Sequence, residues 1–591
     1  MSYEQAIPRA EFPNPQFERK YWQNLNGKWK FKFDHGNSGV EQDYVNKDVF
    51  DMEINVPFTY ESSLSGINIK DFCDCVWYKR TFIVNEKWDV KTGKILLHFG
   101  AVDYHAKVWV NGQYAGFHRG GMTHFMFDVT KFITDGENTV VLRAYDNQRG
   151  GKQPIGKQSN GYYSSGCCYT RTTGIWQTVW LEYIPFQSYI KSFKIYTDVS
   201  NAAVTINVSL DEYIKNSVFT AEIFYNGTSI ETKSLAVGSN NISLQFQIPK
   251  DNLHLWDIGK GNLYDLIMTY GEDSTKVRDT VYSYFGMRSI CIENEKVLLN
   301  GRSVFQRLVL DQGFYPDGTF TAPTGDALEK DIVFSMAAGF NGARLHQKIF
   351  EPLFHYYADK YGYITWGEHG NWGMDYSGES YQNFMCEWIE ALERDFNHPS
   401  IVGWCPHNET PMGQRHDDLA YIYRVTKAFD YTRPVIDTSG YVHVQTDIFD
   451  VHDYDQNVEI FTERYDAMLK TGGDKKIFQN HNIIKDKDIE HMPYFVSEFG
   501  GTWWSDRTNS SPDRNQSWGY GKSPEDIEAF YARFEGLVNA LLDNPRIFAF
   551  CYTQLTDVEQ EQNGVFYYDR EKKFDLERLN KILTRKAAIE D

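Results

Sequence analysis

The chain has 591 residues, 16% of them aromatic, and its 80 acidic and 60 basic side chains leave a net charge of −20. That length implies about three or four domains, each able to bury a core without disulfide staples. An acidic chain with no basic block has nothing to neutralise phosphates, which excludes nucleic acid as a partner, and no run of about 18 apolar residues offers a membrane-spanning helix.

Met1-Ser2-Tyr3-Glu4-Gln5 has neither a positive region nor an apolar stretch and does not read as a signal peptide. The expected location is the cytoplasm, or the periplasm or exterior if an export segment has been removed. Eight cysteines without a Cys-x-x-Cys pair read as reduced thiols, and the close pairs Cys73/Cys75 and Cys167/Cys168 as structural ones.

From residue 20 to about 185 the chain is a series of short alternating strands, among them Val76 to Phe82 and Thr139 to Tyr145. Ala106 to Gly116 alternates around Asn111-Gly112, the strongest short hairpin signal, because both central residues of a type I′ turn need φ > 0. This stretch predicts an all-β sandwich. A second β region, 187 to about 286, carries a hairpin at Asn226-Gly227 and predicts an immunoglobulin-like sandwich.

After residue 287 the rhythm changes. Apolar runs starting at Val304, Gly342, Tyr363, Ile401, Pro434, Ile448, Tyr494 and Ile547 alternate with helix-period segments such as Asp326 to Ala338, Pro352 to Tyr361 and Asp418 to Asp430. Eight such units predict a (β/α)8 barrel, whose polar chemistry gathers at the C-terminal ends of its strands. The predicted domains are therefore 1–186, 187–286 and 287–591.

The strand ends carry Arg344 and His346, Glu368, His407-Asn408-Glu409, Asp437, His452-Asp453-Tyr454, Ser497-Glu498, and Tyr552 with Gln554. Glu409 follows the fourth run and Glu498 the seventh, so they meet only across the mouth of a barrel. Two carboxylates about 5–5.5 Å apart suit a double-displacement glycosidase, one attacking the anomeric carbon and the other moving the proton. No grouping of His, Asp and Glu has distinctive metal-ligand spacing, and the chemistry calls for no cofactor or metal.

These residues also carry a resemblance. Val76 to Phe82, His118 to Thr123 and Thr173 to Glu182 in the first region, with Gly339 to Arg344, Ile401 to Glu409 and Val496-Ser497-Glu498-Phe499-Gly500-Gly501 in the barrel, make the chain resemble glycoside hydrolase family 2, which includes β-galactosidases and β-glucuronidases, over essentially its whole length. The resemblance implies a jelly-roll, sugar-binding-like first sandwich ahead of the immunoglobulin-like sandwich and the TIM barrel. It implies Glu409 as acid/base, Glu498 as nucleophile, Asn408 at the sugar 2-hydroxyl, Tyr454 bonded to the nucleophile, and Arg344 holding that carboxylate ionised. The acid/base carboxyl is expected to be protonated near neutral pH, which calls for a less polar setting. Trp404, Trp503, Trp504 and Tyr552 offer flat faces to a sugar ring, and Asp311, His346 and Glu368 are candidate substrate contacts.

Departures from the family pattern bear on the substrate. His346 stands two residues after Arg344, where relatives place a histidine three on, and Leu310-Asp311-Gln312-Gly313 replaces an Asn-Arg-His run. Where β-glucuronidases of the family carry an Asn-x-Lys motif, Gly564-Val565-Phe566 follows Glu561-Gln562-Asn563. Without that cation the loop favours a neutral sugar, unless another loop supplies one. The expectation is a retaining exo-β-glycosidase of β-galactosidase type acting on an oligosaccharide or glycoside. A β-glucuronidase, a galactofuranosidase or arabinosidase, and a non-catalytic carbohydrate-binding scaffold are the alternatives. The front sandwich is expected to brace the barrel, and a homo-oligomer is possible.

Overall fold

The computed structural model describes residues 7–590 apart from 273–277, 472–474, 481–482, 485 and 508–516, so the segment Met1-Ser2-Tyr3-Glu4-Gln5 lies outside the described residues. The first sandwich packs a four-stranded sheet, in which Val179–Ile184 and Lys94–Phe99 are central, against a six-stranded sheet that includes Cys75–Ile83 and Glu137–Tyr145. Rings and aliphatic side chains such as Trp29, Tyr78, Leu97, Val108 and Leu142 fill the space between them. Asn111 and Gly112 turn the His105–Val110/Gln113–Arg119 hairpin with φ of 49° and 76°, the left-handed pair that the sequence calls for.

The second sandwich has three strands against four, with the Asn226-Gly227 hairpin joining Ser217–Tyr225 to Thr228–Ala236. Arg19 ties the two sandwiches together. It is buried, bonds Asp279 and Glu182 at 2.8 Å each, and donates to the Ile190 carbonyl at 2.7 Å.

The third body is a parallel sheet of seven strands in the order Ile401–Cys405, Ile364–Glu368, Gly342–Leu345, Gln306–Asp311, Ile547–Thr553, Tyr494–Gly500, Phe449–Asp453. The first strand begins two residues later than the sequence suggests, because Arg302–Ser303 pairs into a small separate sheet with Lys296–Leu299. Helices Gly325–Ala338 and Pro352–Tyr361 fall where predicted, with Thr324 capping the first and Pro352 opening the second.

The fifth βα unit departs from the pattern. In place of a regular strand, Val435 makes a single bridge to Trp404, and Thr438–Ser439 then pairs in parallel with His407–Asn408. Pro434 lacks an N–H for the ladder. The Asp437 carboxylate takes the amides of Thr438, Val444 and Gln445 at 2.7 to 3.0 Å, so side-chain acceptance replaces strand pairing. This irregular segment closes the barrel beside Glu409.

Residues 146–173, between Glu137–Tyr145 and Gly174–Ile175, leave the first sandwich and lie across the barrel mouth. Ile155 N donates to Trp372 O at 3.0 Å and Asp375 N to Gly151 O at 2.8 Å. The Tyr169 hydroxyl reaches Glu561 at 2.6 Å, and Gln560 donates to Gly166 O at 2.6 Å. The front sandwich thus does more than brace the barrel: it supplies one wall of the mouth.

Candidate active site

Alternate residues of a parallel strand face the barrel interior, and the last inward residue of each strand reaches the mouth. Arg344 is the hub of the set collected there. Its guanidinium bonds Glu368 at 2.7 Å, the Ser497 carbonyl at 2.8 Å, Asn408 at 2.6 Å, His346 at 2.9 Å and Glu498 at 2.9 Å. Four predicted site residues therefore meet on one buried cation. Burial drives the His346 imidazole well below its ordinary range, with Lys157 and Arg344 adding to the effect, so it stands neutral; burial pushes the Glu368 carboxyl up although Arg344 pulls the other way.

Glu498 uses its other oxygen to accept from the Tyr454 hydroxyl, which also meets Thr553 Oγ1 at 3.0 Å. Guanidinium and phenol together stabilise negative charge on this carboxylate. Glu409 sits at φ 49°, the left-handed region that a non-glycine residue seldom occupies. It is held there by its own amide bonding Ser439 O at 3.0 Å. Carboxylate oxygens of Glu409 and Glu498 come within 4.8 Å of each other, with a His452 ring nitrogen in the same cluster.

His452, which the sequence places at a strand end without a role, touches both carboxylates, Nδ1 lying 2.8 Å from Glu409 and 3.4 Å from Glu498. Its Nε2 meets Ser439 Oγ at 3.0 Å, and that hydroxyl donates to Asp450 at 2.9 Å, so both ring nitrogens face acceptors. The consequence overturns one expectation. Burial raises the Glu409 carboxyl, but the His452 hydrogen bond and charge, followed by Lys157 and Arg344, more than offset it and hold the group below its ordinary range.

Asn408 turns its Oδ1 to Arg344 and leaves Nδ2 buried without a partner among the described residues, a donor available to a hydroxyl. Three aromatic side chains without a predicted role border the site. Trp372 donates from Nε1 to Asn408 O at 3.3 Å, Tyr520 stacks on Tyr454 with ring centroids 3.4 Å apart, and Tyr441 stands edge-on to His452 at 6.0 Å. Lys157 of the cross-domain wall lies over the Trp372 ring at 4.1 Å. Its signal in the sequence is a cation in a long loop rich in glycine and serine, the kind of connection that carries function.

Among the described residues, the other predicted contacts make no hydrogen bond to the carboxylate pair. Tyr552 is a core ring packed against Phe499 and Phe534, and it is the next residue, Thr553, that meets Tyr454. Trp404 is buried against Trp388 and bonds Asp430 at 2.8 Å. Trp504 packs half-buried near Phe530, and Trp503 lies beside Gly519. Asp311 accepts the Gly313 amide at 2.9 Å, and its carboxyl is raised by burial and by Asp331.

Glu409, His452 and Glu498 have the donor types of a metal site. Both oxygens of Glu498 are already engaged, one by a guanidinium at 2.9 Å. An added cation would face Arg344 across that carboxylate, so the set fits proton transfer better than metal binding.

Residues 22–185 match a sequence profile described as the sugar binding domain of glycosyl hydrolases family 2, residues 188–288 one described as glycosyl hydrolases family 2, and residues 324–511 its TIM barrel domain. A β-galactosidase from Leuconostoc mesenteroides is 24% identical over 74% of this chain and 43% of its own length. A β-glucuronidase from Mus musculus is 24% identical over 70% of this chain and 67% of its own. The chain thus spans less than half the length of the bacterial β-galactosidase. Among solved structures, Ruminococcus gnavus β-glucuronidase superposes with a TM-score of 0.78 at 16% identity, covering 98% of this chain and 99% of that one, which speaks for a common fold.

Proposed function

The chain belongs to glycoside hydrolase family 2, and on that premise we propose that it is a retaining exo-β-glycosidase in which Glu498 is the nucleophile and Glu409 the acid/base. The observation that carries this reading is the approach of the two carboxylates to within 4.8 Å. An oxygen–oxygen approach that close supports a double displacement, whose carboxyl groups stand about 5–5.5 Å apart, over the roughly 6.5–9.5 Å that an inverting enzyme keeps for its water.

Glu498, charge-stabilised by Arg344 and Tyr454, attacks the anomeric carbon as the Glu409–His452 pair delivers a proton to the leaving oxygen. A covalent glycosyl-enzyme results. Glu409, by then an anion favoured by His452, removes a proton from water, and the second displacement frees the sugar. Asn408 Nδ2 is suited to the 2-hydroxyl. The wall made by residues 146–173 closes one side of the mouth, which suits a terminal sugar in a pocket better than the interior of a polymer in a groove.

Two glycone classes have an observation each. Glu561 and Asn563, standing where a lysine would greet an acid, support a neutral sugar of β-galactosidase type. Lys157, reaching the same mouth from the first sandwich, supports an acidic one.

Glu498→Gln should lower turnover of nitrophenyl β-glycosides by at least about 10³-fold, and near-normal activity would remove the nucleophile from this account. Glu409→Ala should spare activated nitrophenyl glycosides relative to natural ones and gain rate from added azide. Equal losses on both substrate types would count against the acid/base role.

A further inference from the structure

Lys157 makes no hydrogen bond to the catalytic set and acts on Glu409 and His346 through its charge alone, yet it is one of the most deeply placed cations at the mouth, 7% exposed. Its backbone is fixed by Tyr169 N donating to Lys157 O at 2.7 Å, and the preceding Gly156 lies so close to Gln347 O that a Cβ there would stand 2.2 Å away. The ammonium is therefore carried to its position by a rigid piece of backbone. It rests over Trp372, whose indole bonds the carbonyl of Asn408, the residue before Glu409.

Among the described residues, no hydrogen bond or ion pair engages its three N–H groups; Trp372 offers only a ring face. Burial works against the charge, but Cys167, Glu561, Glu409 and Glu498 around it more than restore it. The ammonium is left to solvent and to the charges around it, Cys167 foremost, and is free to pair with an anionic group on a ligand.

Glu561 does not do so. Its two oxygens are occupied by neutral donors, Tyr169 at 2.6 Å and Asn563 at 3.0 Å. Burial first, then Cys167, push its carboxyl up to about 7 against the pull of Lys157, Tyr169 and Asn563. Near neutral pH it presents a carboxylic acid as much as an anion, and an acid beside Lys157 can donate to a bound carboxylate instead of repelling it.

We propose that Lys157, delivered by the first sandwich and not by the barrel, is the specificity-determining residue of the pocket, pairing with a carboxylate on the terminal sugar, so that the favoured glycone is a hexuronic acid. This rests on the acidic-glycone reading of the same site. The cation that the loop before Gly564 lacks is replaced from another domain.

The test compares wild type, Lys157→Met and Lys157→Arg on nitrophenyl β-D-glucuronide and β-D-galactoside, with calorimetric binding of free D-glucuronate alongside. Wild type should prefer the glucuronide; Lys157→Met should lose about 100-fold in kcat/KM on it, the scale of an unpaired buried charge. The galactoside should lose far less than the glucuronide, only what the charge of Lys157 contributes at Glu409, and Lys157→Arg, which keeps that charge, should restore part of the glucuronide rate. Equal losses on both sugars, or a wild type that prefers the galactoside, would overturn the proposal and leave the glycosidase reading standing. If neither glycoside is turned over, neither sugar is the glycone of the proposed glycosidase. Glucuronate binding then decides on its own: affinity that falls with Lys157→Met upholds the proposal, and affinity indifferent to it, or absent in the wild type, overturns it.

Discussion

In the proposed mechanism Glu409 must meet two demands that conflict at a single pKa: the first displacement needs a proton on it and the second needs the proton gone, and His452 lies 2.8 Å away, within reach of that proton. Burial alone would raise the carboxyl; the imidazole is what brings it down. Replacing His452 with Gln should therefore let burial dominate. The protonated fraction would survive to higher pH, and the alkaline limb of the kcat/KM profile should move up. A limb that stays in place would mean that His452 does not tune Glu409. This partner was hard to read from sequence because strand ends supply several polar residues in a row, and only the register of the bridge at Thr438–Ser439 brings His452 rather than His407 to the carboxylates. Parity explains the opposite error. Tyr552 and Trp404 stand at strand ends as expected, yet they occupy outward positions against the helices, and a one-residue change of phase separates a core ring from a sugar contact.

The connection at 146–173 is the element on which the mouth depends. Gly156 has φ of 62° and no room for a side chain, the carbonyl of Gln347 standing in the way. Gly156→Ala should strain or undock the segment, lowering stability by about 1–3 kcal/mol, with a rise in KM larger than any change in kcat because Lys157 moves with it. Thermal unfolding and steady-state kinetics check both, and an unaltered KM would show the wall to be passive. Elements governed by local rules were legible in advance. Asn-Gly turned both hairpins, and Pro352 opened its helix at the residue predicted. The fifth barrel unit was not legible, since Pro434 and Asp437 trade ladder bonds for side-chain acceptance. Nor was the placement of this connection, whose contacts at Trp372 and Glu561 lie hundreds of residues away in sequence.

At the scale of the whole molecule, alternation of strand and helix sufficed for the barrel and turn spacing for the two sandwiches, but neither shows how the bodies meet. That is fixed by buried charge. Arg19 holds Asp279 of the second sandwich and Glu182 of the first, and Arg19→Met would leave two buried carboxylates without their cation, a cost of about 3–5 kcal/mol. Calorimetry should show a lower Tm and an early transition split from the main one, with kcat at 25 °C nearly unchanged because the pair is remote from the mouth. A single unshifted transition would mean that the sandwiches do not depend on this contact. The wall across the mouth also has a temporal meaning. Lys157 leaves the ribosome about 400 residues ahead of Glu561, a wait on the order of 20–80 s at ordinary rates of synthesis. Through that interval the wall and the loop that faces it are not both present, and the mouth is complete only once the segment carrying Glu561 packs on a wall made long before it, so that the onset of activity would time this closure.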